Sequence, residues 1–430
     1  MTEEKKIKVL TISDHPFSPS GVGTQTKYVI EALLKTGKFQ VLSLAGAMKH
    51  QNYNAQKTEE WGDDLIVFPV DGYGDPESIR SIIRTQKPDI LWFMTDPRFY
   101  EWLWAMENEI RPLMPMVYYH VWDNFPAPKF NEAFYSSNDF VATISKVTDE
   151  IVRIVSPNVD REYVPHAVDS TWFKKIDEER TEKNRKTFFK EKLLDDDGNE
   201  KMVFFWNNRN ARRKQSGSLI WWYKEFLDKV GHDKAILMMH TDPKDQHGQD
   251  LEAIIQELGL TNGEVIFSLE KVEPDHLAQV YNAADCTINV SDAEGFGLAT
   301  LESLSCGTPI LVNMTGGLQE QVTDGENWFG IGIEPCSKAV IGSQQVPYIH
   351  EDRVHKDDFL EAIEKMYTAW KDNTEEYQKW SERGIEHVKK NYNFDNFEKQ
   401  WVKIMEDIHK KHGSWDNRKG YKSWELREVA

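Results

Sequence analysis

Two series of alternating apolar strands and amphipathic helices, separated by one charged stretch, place this sequence in the α/β class with parallel sheets. Three observations carry that reading. Apolar runs, continuous at residues 90–94, 202–206 and 235–239 and nearly so at 7–12, lack the polar alternation of half-exposed strands, so both their faces are expected to be buried. Stretches with apolar residues at helical spacing follow most of them, as crossover connections require. Between Lys174 and Lys201 the alternation stops and Lys, Glu and Asp dominate, which divides the chain in two.

The first strand, 7–12, runs into Ser13-Asp14-His15-Pro16-Phe17-Ser18-Pro19-Ser20-Gly21-Val22-Gly23-Thr24. A helix follows with Tyr28, Val29, Ala32 and Leu33 on one face and Gly37 as its stop. Residues 41–44 and 65–70 read as strands, Pro76 opens a helix through Ile79, Ile82 and Ile83, and strands recur at 90–94, 116–119 and 140–144. Residues 99–110 carry Phe99, Trp102, Leu103, Met106 and Ile110 at helical spacing. One helix packed on the sheet is predicted, not a membrane-seeking one, because Glu101, Glu107 and Glu109 would be repelled by anionic lipid. The second series has strands at 202–206, 235–239, 265–267, 286–290 and 309–312, with helices at 218–227, 251–258, 274–284 and 298–304. Helices at 359–370, 375–389 and 394–412 end the ordered part. The polar tail 413–430, with Trp415 and Trp424, is expected to be loosely held. The predicted organisation is an N-terminal domain at 1–172, a linker at 173–200, a C-terminal domain at 201–392 and the tail.

A chain of 430 residues exceeds one ordinary core, and 15 Trp make apolar burial ample. The net charge of −19 argues against a general nucleic-acid surface. Three scattered cysteines, Cys286, Cys306 and Cys336, form neither a disulfide framework nor a metal-binding spacing, which fits a reducing cytoplasm. The opening MTEEKKIKVL has no signal-peptide run, and no stretch approaches the ~20 apolar residues of a spanning helix. Peripheral contact with a membrane surface stays open.

Residues 284–317 form the densest cluster of signals. A buried strand gives way at Ser291 to small, acidic and glycine residues, a helix follows, and Cys306-Gly307-Thr308-Pro309 leads into a second strand. Such a loop offers backbone N–H groups at a positive helix end, a phosphate-type anion site, with Glu294 and Glu302 beside it. The eight-residue glutamate spacing alone is uninformative, since it recurs at Glu101/Glu109, Glu326/Glu334 and Glu398/Glu406. Embedded in EGFGL…E…CGTP between two strands, the pair resembles that of the retaining GT-B glycosyltransferases of family 4 (glycosyl transferases group 1). Other stretches resemble the family in order: Ser20-Gly21-Val22-Gly23, Tyr119-His120, Ile144-Ser145-Lys146, Val164-Pro165-His166-Ala167-Val168-Asp169, and Asn208-Arg209 with Lys214. Ala167 stands where the family usually has glycine. His240-Thr241-Asp242 and Tyr281-Asn282-Ala283-Ala284-Asp285 match later strand ends.

The resemblance implies two facing Rossmann-like domains that close over a cleft, with the last helix, 393–412, crossing back to the first domain. It implies a nucleotide-diphosphate sugar (UDP- or GDP-type) as donor, a hydroxyl acceptor and retention of anomeric configuration by front-face attack. Neither a cofactor nor a metal is expected. A helical rise of about 1.5 Å per residue sets Glu294 and Glu302 roughly 9–12 Å apart, enough to straddle a pyrophosphate. Glu302 is read as accepting from ribose hydroxyls and Glu294 from sugar hydroxyls. Arg209 and Lys214, with the N–H groups of Gly295, Phe296, Gly297 and Leu298, are the expected stabilisers of the leaving diphosphate. Arg212 and Arg213 are secondary candidates. Gly21, Gly23 and Val272 complete the donor set, and His120 is a catalytic candidate that would polarise a hydroxyl or stabilise charge at the anomeric centre. Trp122, Phe125 and Arg98 are expected to line an acceptor pocket, with a glycan, lipid-linked sugar, small metabolite, protein or modified nucleobase as acceptor. Three alternatives stand beside the transferase: a GT-B phosphorylase, a sugar-nucleotide epimerase, and a nucleotide- or glycan-binding module without turnover. A Rossmann dehydrogenase is disfavoured, because SPSGVGT follows the first strand where GxGxxG would stand.

Overall fold

The computed structural model describes residues 5–422. These form two compact units. The N-terminal unit comprises the described parts of Met1–Trp122, Pro126–His166 and Asp395–Ala430; the C-terminal unit comprises Asp123–Phe125 and Ala167–Phe394.

In the N-terminal unit the strands are β1 (Ile7–Asp14), β2 (Phe39–Gly46), β3 (Gln56–Lys57), β4 (Leu65–Pro69), β5 (Ile90–Met94), β6 (Met116–His120), β7 (Phe140–Thr143) and β8 (Arg161–Tyr163). They make one sheet in the order β3-β4-β2-β1-β5-β6-β7-β8, parallel except at the edge strand β3. Helices α1 (Gly21–Leu34), α2 (Pro76–Gln86), α3 (Glu101–Trp104), α4 (Glu107–Ile110), α5 (Glu132–Ser136) and α6 (Lys146–Val155) connect them. Val9, Leu10 and Ile12 of β1 are completely buried, as a strand covered on both faces requires. The single helix expected over 99–110 is instead two short turns, α3 and α4, broken at Met106 (φ −97°, ψ 8°). Inward anchoring explains the break. The Tyr100 hydroxyl lies 2.8 Å from the carbonyl oxygens of both Ile12 and Met94, and Trp104 Nε1 donates to Asn138 at 3.1 Å.

The C-terminal unit has α7 (Glu178–Phe189), β9 (Met202–Asn207), α8 (Ser216–Val230), β10 (Ala235–His240), α9 (Leu251–Glu257), β11 (Val265–Ser268), α10 (Pro274–Ala283), β12 (Cys286–Asn289), α11 (Leu298–Ser305), β13 (Ile310–Asn313), α12 (Leu318–Val322) and β14 (Gly330–Ile333). An antiparallel hairpin follows, β15 (Ser337–Ile341) and β16 (Ile349–Arg353), then α13 (Lys356–Lys371) and α14 (Glu375–Asn391). The parallel sheet runs β11-β10-β9-β12-β13-β14 around a core that includes Phe204, Trp206, Tyr223, Phe226 and Phe359. Strand order reverses between β9 and β12, which pair at Cys286↔Phe204 and Thr287↔Phe205. At such a switch point the loops leaving two neighbouring strands diverge and open a crevice at their C-terminal ends.

Two stretches expected to be loosely attached make specific contacts. The stretch 173–200, expected as a linker, groups with the C-terminal unit, whose main segment starts at Ala167. Arg185 of α7 is buried, and its Nη1 donates to both oxygens of Asp285 at 3.0 Å and to the carbonyl of Ala283 at 2.9 Å. One arginine turned inward outweighs the solvated look of its neighbours. The tail is docked as far as it is described. Ser414 Oγ donates to the buried Asp89 at 2.6 Å, Trp415 Nε1 to the carbonyl of Pro88 at 2.9 Å, and Arg418 Nη2 to the buried Asp139 at 2.7 Å. Trp424 lies outside the described residues. The helix α15 (Phe394–His412) belongs from Asp395 onward to the N-terminal unit, where Trp401 is fully buried 4.8 Å from Tyr119 and 5.9 Å from Trp92, ring centre to ring centre. No helix among the described residues is long and apolar enough to cross a membrane.

Candidate active site

The switch point of the C-terminal sheet brings together residues 80 positions apart. After β9 the chain passes Asn208 and Arg209 and makes a short 3-10 turn, Arg212–Lys214. Gln215 is left-handed (φ 56°) and starts α8. After β12 it passes Glu294, and Gly297 takes φ 92°, a conformation that favours glycine, at the start of α11. Because β9 and β12 are neighbours, the two loops meet: Lys214 Nζ donates to Glu294 Oε2, an oxygen that Asn289 Nδ2 also reaches at 3.3 Å. The side chains are only 9% and 13% exposed, so this is a desolvated ion pair. Burial pushes Glu294 up, but Lys214 and Arg213 outweigh it and hold the carboxylate below its ordinary range. Burial pulls Lys214 down, with Glu294 opposing.

The loop carrying Glu294 is held from behind by a turn, Met314-Thr315-Gly316-Gly317. Gly317 N donates to the Glu294 carbonyl at 3.1 Å. A Cβ on Gly316 would fall 1.9 Å from that carbonyl oxygen, and one on Gly317 would fall 2.6 Å from Phe296 Cα. Gln321 Nε2 holds the carbonyl of Phe296 at 2.7 Å. Phe296 and Gly297 are buried, whereas Gly295 and Leu298 are partly open.

Glu302 sits one helical turn into α11. The Tyr281 hydroxyl donates to its Oε2 at 2.8 Å and accepts from Asn207 Nδ2 at 2.9 Å. Burial pushes Glu302 up to about 7, against the Tyr281 hydrogen bond. Sequence reasoning found Glu302, named Tyr281 only within a stretch matching a strand end and gave it no role, and missed Asn207 and Asn289, polar residues that follow no spacing rule.

The Arg/Lys pair does not converge. Arg209 is turned to the loop between β10 and α9, donating to Asp245 at 2.6 and 3.2 Å and reaching His247 Nδ1 at 2.6 Å. Arg212 forms a two-pronged pair with Glu351 at 3.0 and 2.6 Å, and Arg213 donates to the carbonyl of Ala293. Val272 is partly buried in the loop before α10.

The N-terminal candidates occupy the strand ends of their own unit. Ser20 caps α1, accepting from Gly23 N at 2.9 Å and donating to Asp14 at 2.5 Å, and Gly21 is the first helical residue. A Cβ on Gly23 would lie 2.3 Å from Ser18 Oγ and 2.8 Å from the His15 carbonyl, so this glycine is required by its own loop. His120, at the end of β6, is fully buried with Nε2 2.7 Å from the Tyr135 hydroxyl, and Nδ1 has no hydrogen-bond partner among the described residues. Burial pulls it down to about 3, so the ring is neutral. Trp122 is buried edge-on to Phe130, Phe125 is exposed and groups with the C-terminal unit, and Arg98 pairs with Asp96 at 2.7 Å. Among the described residues no cluster of three His, Cys, Asp or Glu side chains is placed to hold a metal ion.

A family model for glycosyl transferases group 1 matches residues 197–387, the segment that carries Lys214, Glu294 and Glu302. Residues 197–387 belong to the glycosyl transferases group 1 family. Two D-inositol 3-phosphate glycosyltransferases are similar to this chain. That of Acidothermus cellulolyticus is 36% identical over 129 residues, 27% of this chain and 28% of the relative. That of Streptosporangium roseum is 51% identical over 53 residues, 12% of each. The match thus spans less than a third of the length of these relatives. The fold is GT-B. It is shared with a sucrose-phosphate synthase from Thermosynechococcus elongatus (TM-score 0.73, 15% identity, 94% of this chain and 100% of that one). HepE from Anabaena, in complex with UDP and glucose, is also similar (TM-score 0.67, 15% identity, 93% and 100%).

Proposed function

We propose that this chain transfers a hexose-type sugar from a nucleoside-diphosphate donor, UDP- or GDP-type, to a hydroxyl acceptor with retention of configuration. The observation that carries the reading is the desolvated Lys214–Glu294 pair at the mouth of the glycine loop, with Glu302 one turn into the following helix. A carboxylate kept ionised by a buried lysine is a ready acceptor for sugar hydroxyls, and Lys214 supplies positive charge where a diphosphate leaves. Tyr281 takes one oxygen of Glu302 and leaves the other for ribose hydroxyls. The N–H groups at the start of α11 complete an anion site. HepE crystallised with UDP supports the same donor class.

In the proposed reaction the bond from the anomeric carbon to the diphosphate oxygen breaks, and its electron pair goes to that oxygen. The acceptor hydroxyl attacks from the same face and gives its proton to the departing phosphate oxygen, through an oxocarbenium-like state. Lys214 stabilises the developing charge. Arg209 joins it after exchanging Asp245 for phosphate, a swap between two anions at a largely exposed site. His120, being neutral, acts on a hydroxyl by hydrogen bonding and not as a cation. No step calls for a metal ion. The proposed acceptors are small polyols or glycans, with the N-terminal unit supplying their contacts; the inositol phosphate in the relatives' names supports that class.

Equilibrium titration with UDP, GDP and ADP tests the donor assignment. One of the three should bind the wild type, and Glu302→Ala should weaken it by about tenfold, the loss of one charged hydrogen-bond acceptor. Unchanged affinity in Glu302→Ala would remove that residue from the donor site.

A further inference from the structure

The hairpin β15–β16 follows no expectation from sequence, and it buries charge. Glu351 is 3% exposed at the side chain, although it lies on a two-stranded hairpin. Such a residue needs partners, because a buried unpaired carboxylate is strongly unfavourable. Its partners lead to the candidate site. Both Glu351 oxygens accept from Arg212, the first residue of the turn that presents Lys214, and Oε2 also accepts from Arg353 at 2.9 Å. Arg353 donates in turn to Asp292, which lies two residues before Glu294, is itself 2% exposed, and accepts from Gln215 at 2.7 Å.

Backbone bonds run alongside these. Asp292 N donates to the Arg213 carbonyl and Asp352 N to the Asp292 carbonyl, both at 2.8 Å. Thr315, next to the glycines behind Glu294, donates to Asp352 at 2.8 Å. The ion pairs Arg212–Glu351 and Arg353–Asp292 thus tie the hairpin to both halves of the Lys214–Glu294 pair, while Arg353–Glu351 and Lys338–Asp352 lie within the hairpin.

We propose that the hairpin is a brace for the donor-phosphate site, and that Glu351 is a positioning residue that sets the Arg212–Lys214 turn against the loop of Glu294. This rests on the donor reading above. Glu351 touches neither Lys214 nor Glu294; it acts through Arg212 on one side and through Arg353 and Asp292 on the other.

The test is a double-mutant cycle read by titration with UDP, GDP and ADP, paired with hydrogen exchange at the Asp292 amide. Glu351→Gln should raise the dissociation constant of the nucleotide that binds by about tenfold. In a Lys214→Met background the same substitution should change it less than twofold, because the residue to be positioned is gone. The Asp292 amide should exchange faster in Glu351→Gln than in the wild type. Val340→Ser, at an exposed position of the same hairpin, should leave both readings unchanged. Equal weakening in the two backgrounds would mark Glu351 as a general stability residue and overturn the inference, as would unchanged affinity in Glu351→Gln or an unchanged Asp292 amide. Faster exchange in a protein whose wild type binds none of the three nucleotides would overturn the donor reading and leave the brace standing.

Discussion

Glu302 is held in a protonation balance set by its surroundings. Burial raises it from 4.5 to about 7, and its recorded partner is a neutral tyrosine. A raised acid binds its proton more tightly folded than unfolded. Its contribution to stability is therefore greatest at low pH, declines as pH rises from about 4.5 through 7, and is constant above. The difference corresponds to ~3 kcal/mol. Glu302→Gln should accordingly stabilise the protein by about 2–3 kcal/mol at pH 8.5 and by almost nothing at pH 4.5, measured by urea unfolding. An equal effect at both pH values would contradict the assigned environment. Lys214→Met should behave oppositely. It strands a buried carboxylate and should cost about 3 kcal/mol at pH 8, a loss relieved in Lys214→Met/Glu294→Gln. A double variant no better than the single one would mean that the pair is not coupled.

At the scale of elements, the glycine loop is shaped by its neighbours as much as by its own residues. Gly316 matters because the atom in the way of any side chain is backbone, the Glu294 carbonyl oxygen at 1.9 Å. Gly316→Ala should lower stability by more than about 2 kcal/mol and weaken nucleotide binding together. Gly325→Ala, with φ 99° and nothing within 4 Å of the added carbon, should cost about 1 kcal/mol through backbone strain alone and leave binding intact. Thermal unfolding and titration on the same samples separate the two.

These contrasts mark what could be read without coordinates. The inner strands of both sheets were legible because residues buried on both faces leave apolar runs, whereas the edge strands β3, β8 and β14 were not read. Glu294 and Glu302 were legible because they stand in a loop between two such strands. Tyr281, Asn289 and Glu351 were not, since each becomes a partner only when distant segments meet. The hairpin strands, Ser337–Ile341 and Ile349–Arg353, carry neither a long apolar run nor a period-2 alternation and do not stand out in an acidic chain. Arg185 and the tail failed for a related reason: a charged stretch looks solvated until one member finds a buried counter-ion.

On the scale of the molecule, the two units differ in what they commit. The C-terminal unit holds the family match and the Lys214–Glu294 pair, whose two loops contact one another. The N-terminal unit closes on the last helix and the tail, so its stability depends on residues at the far end of the chain. Arg418→Ala leaves Asp139 with Arg111 as its guanidinium partner and should speed hydrogen exchange in β6 and β7, while β9 and β12 keep their protection. Uniform loss of protection would contradict a local role for the tail.

The central claim, sugar transfer from a nucleoside-diphosphate donor, is tested most directly by mass spectrometry of the protein incubated with a panel of nucleotide sugars and hydroxyl acceptors. The account predicts that one donor class releases its nucleoside diphosphate with a sugar-sized mass gain on an acceptor or on water, and that Lys214→Met lowers that rate by about a hundredfold or more. Turnover of a glycoside with inorganic phosphate and no nucleotide, or a Lys214→Met variant as fast as wild type, would contradict it.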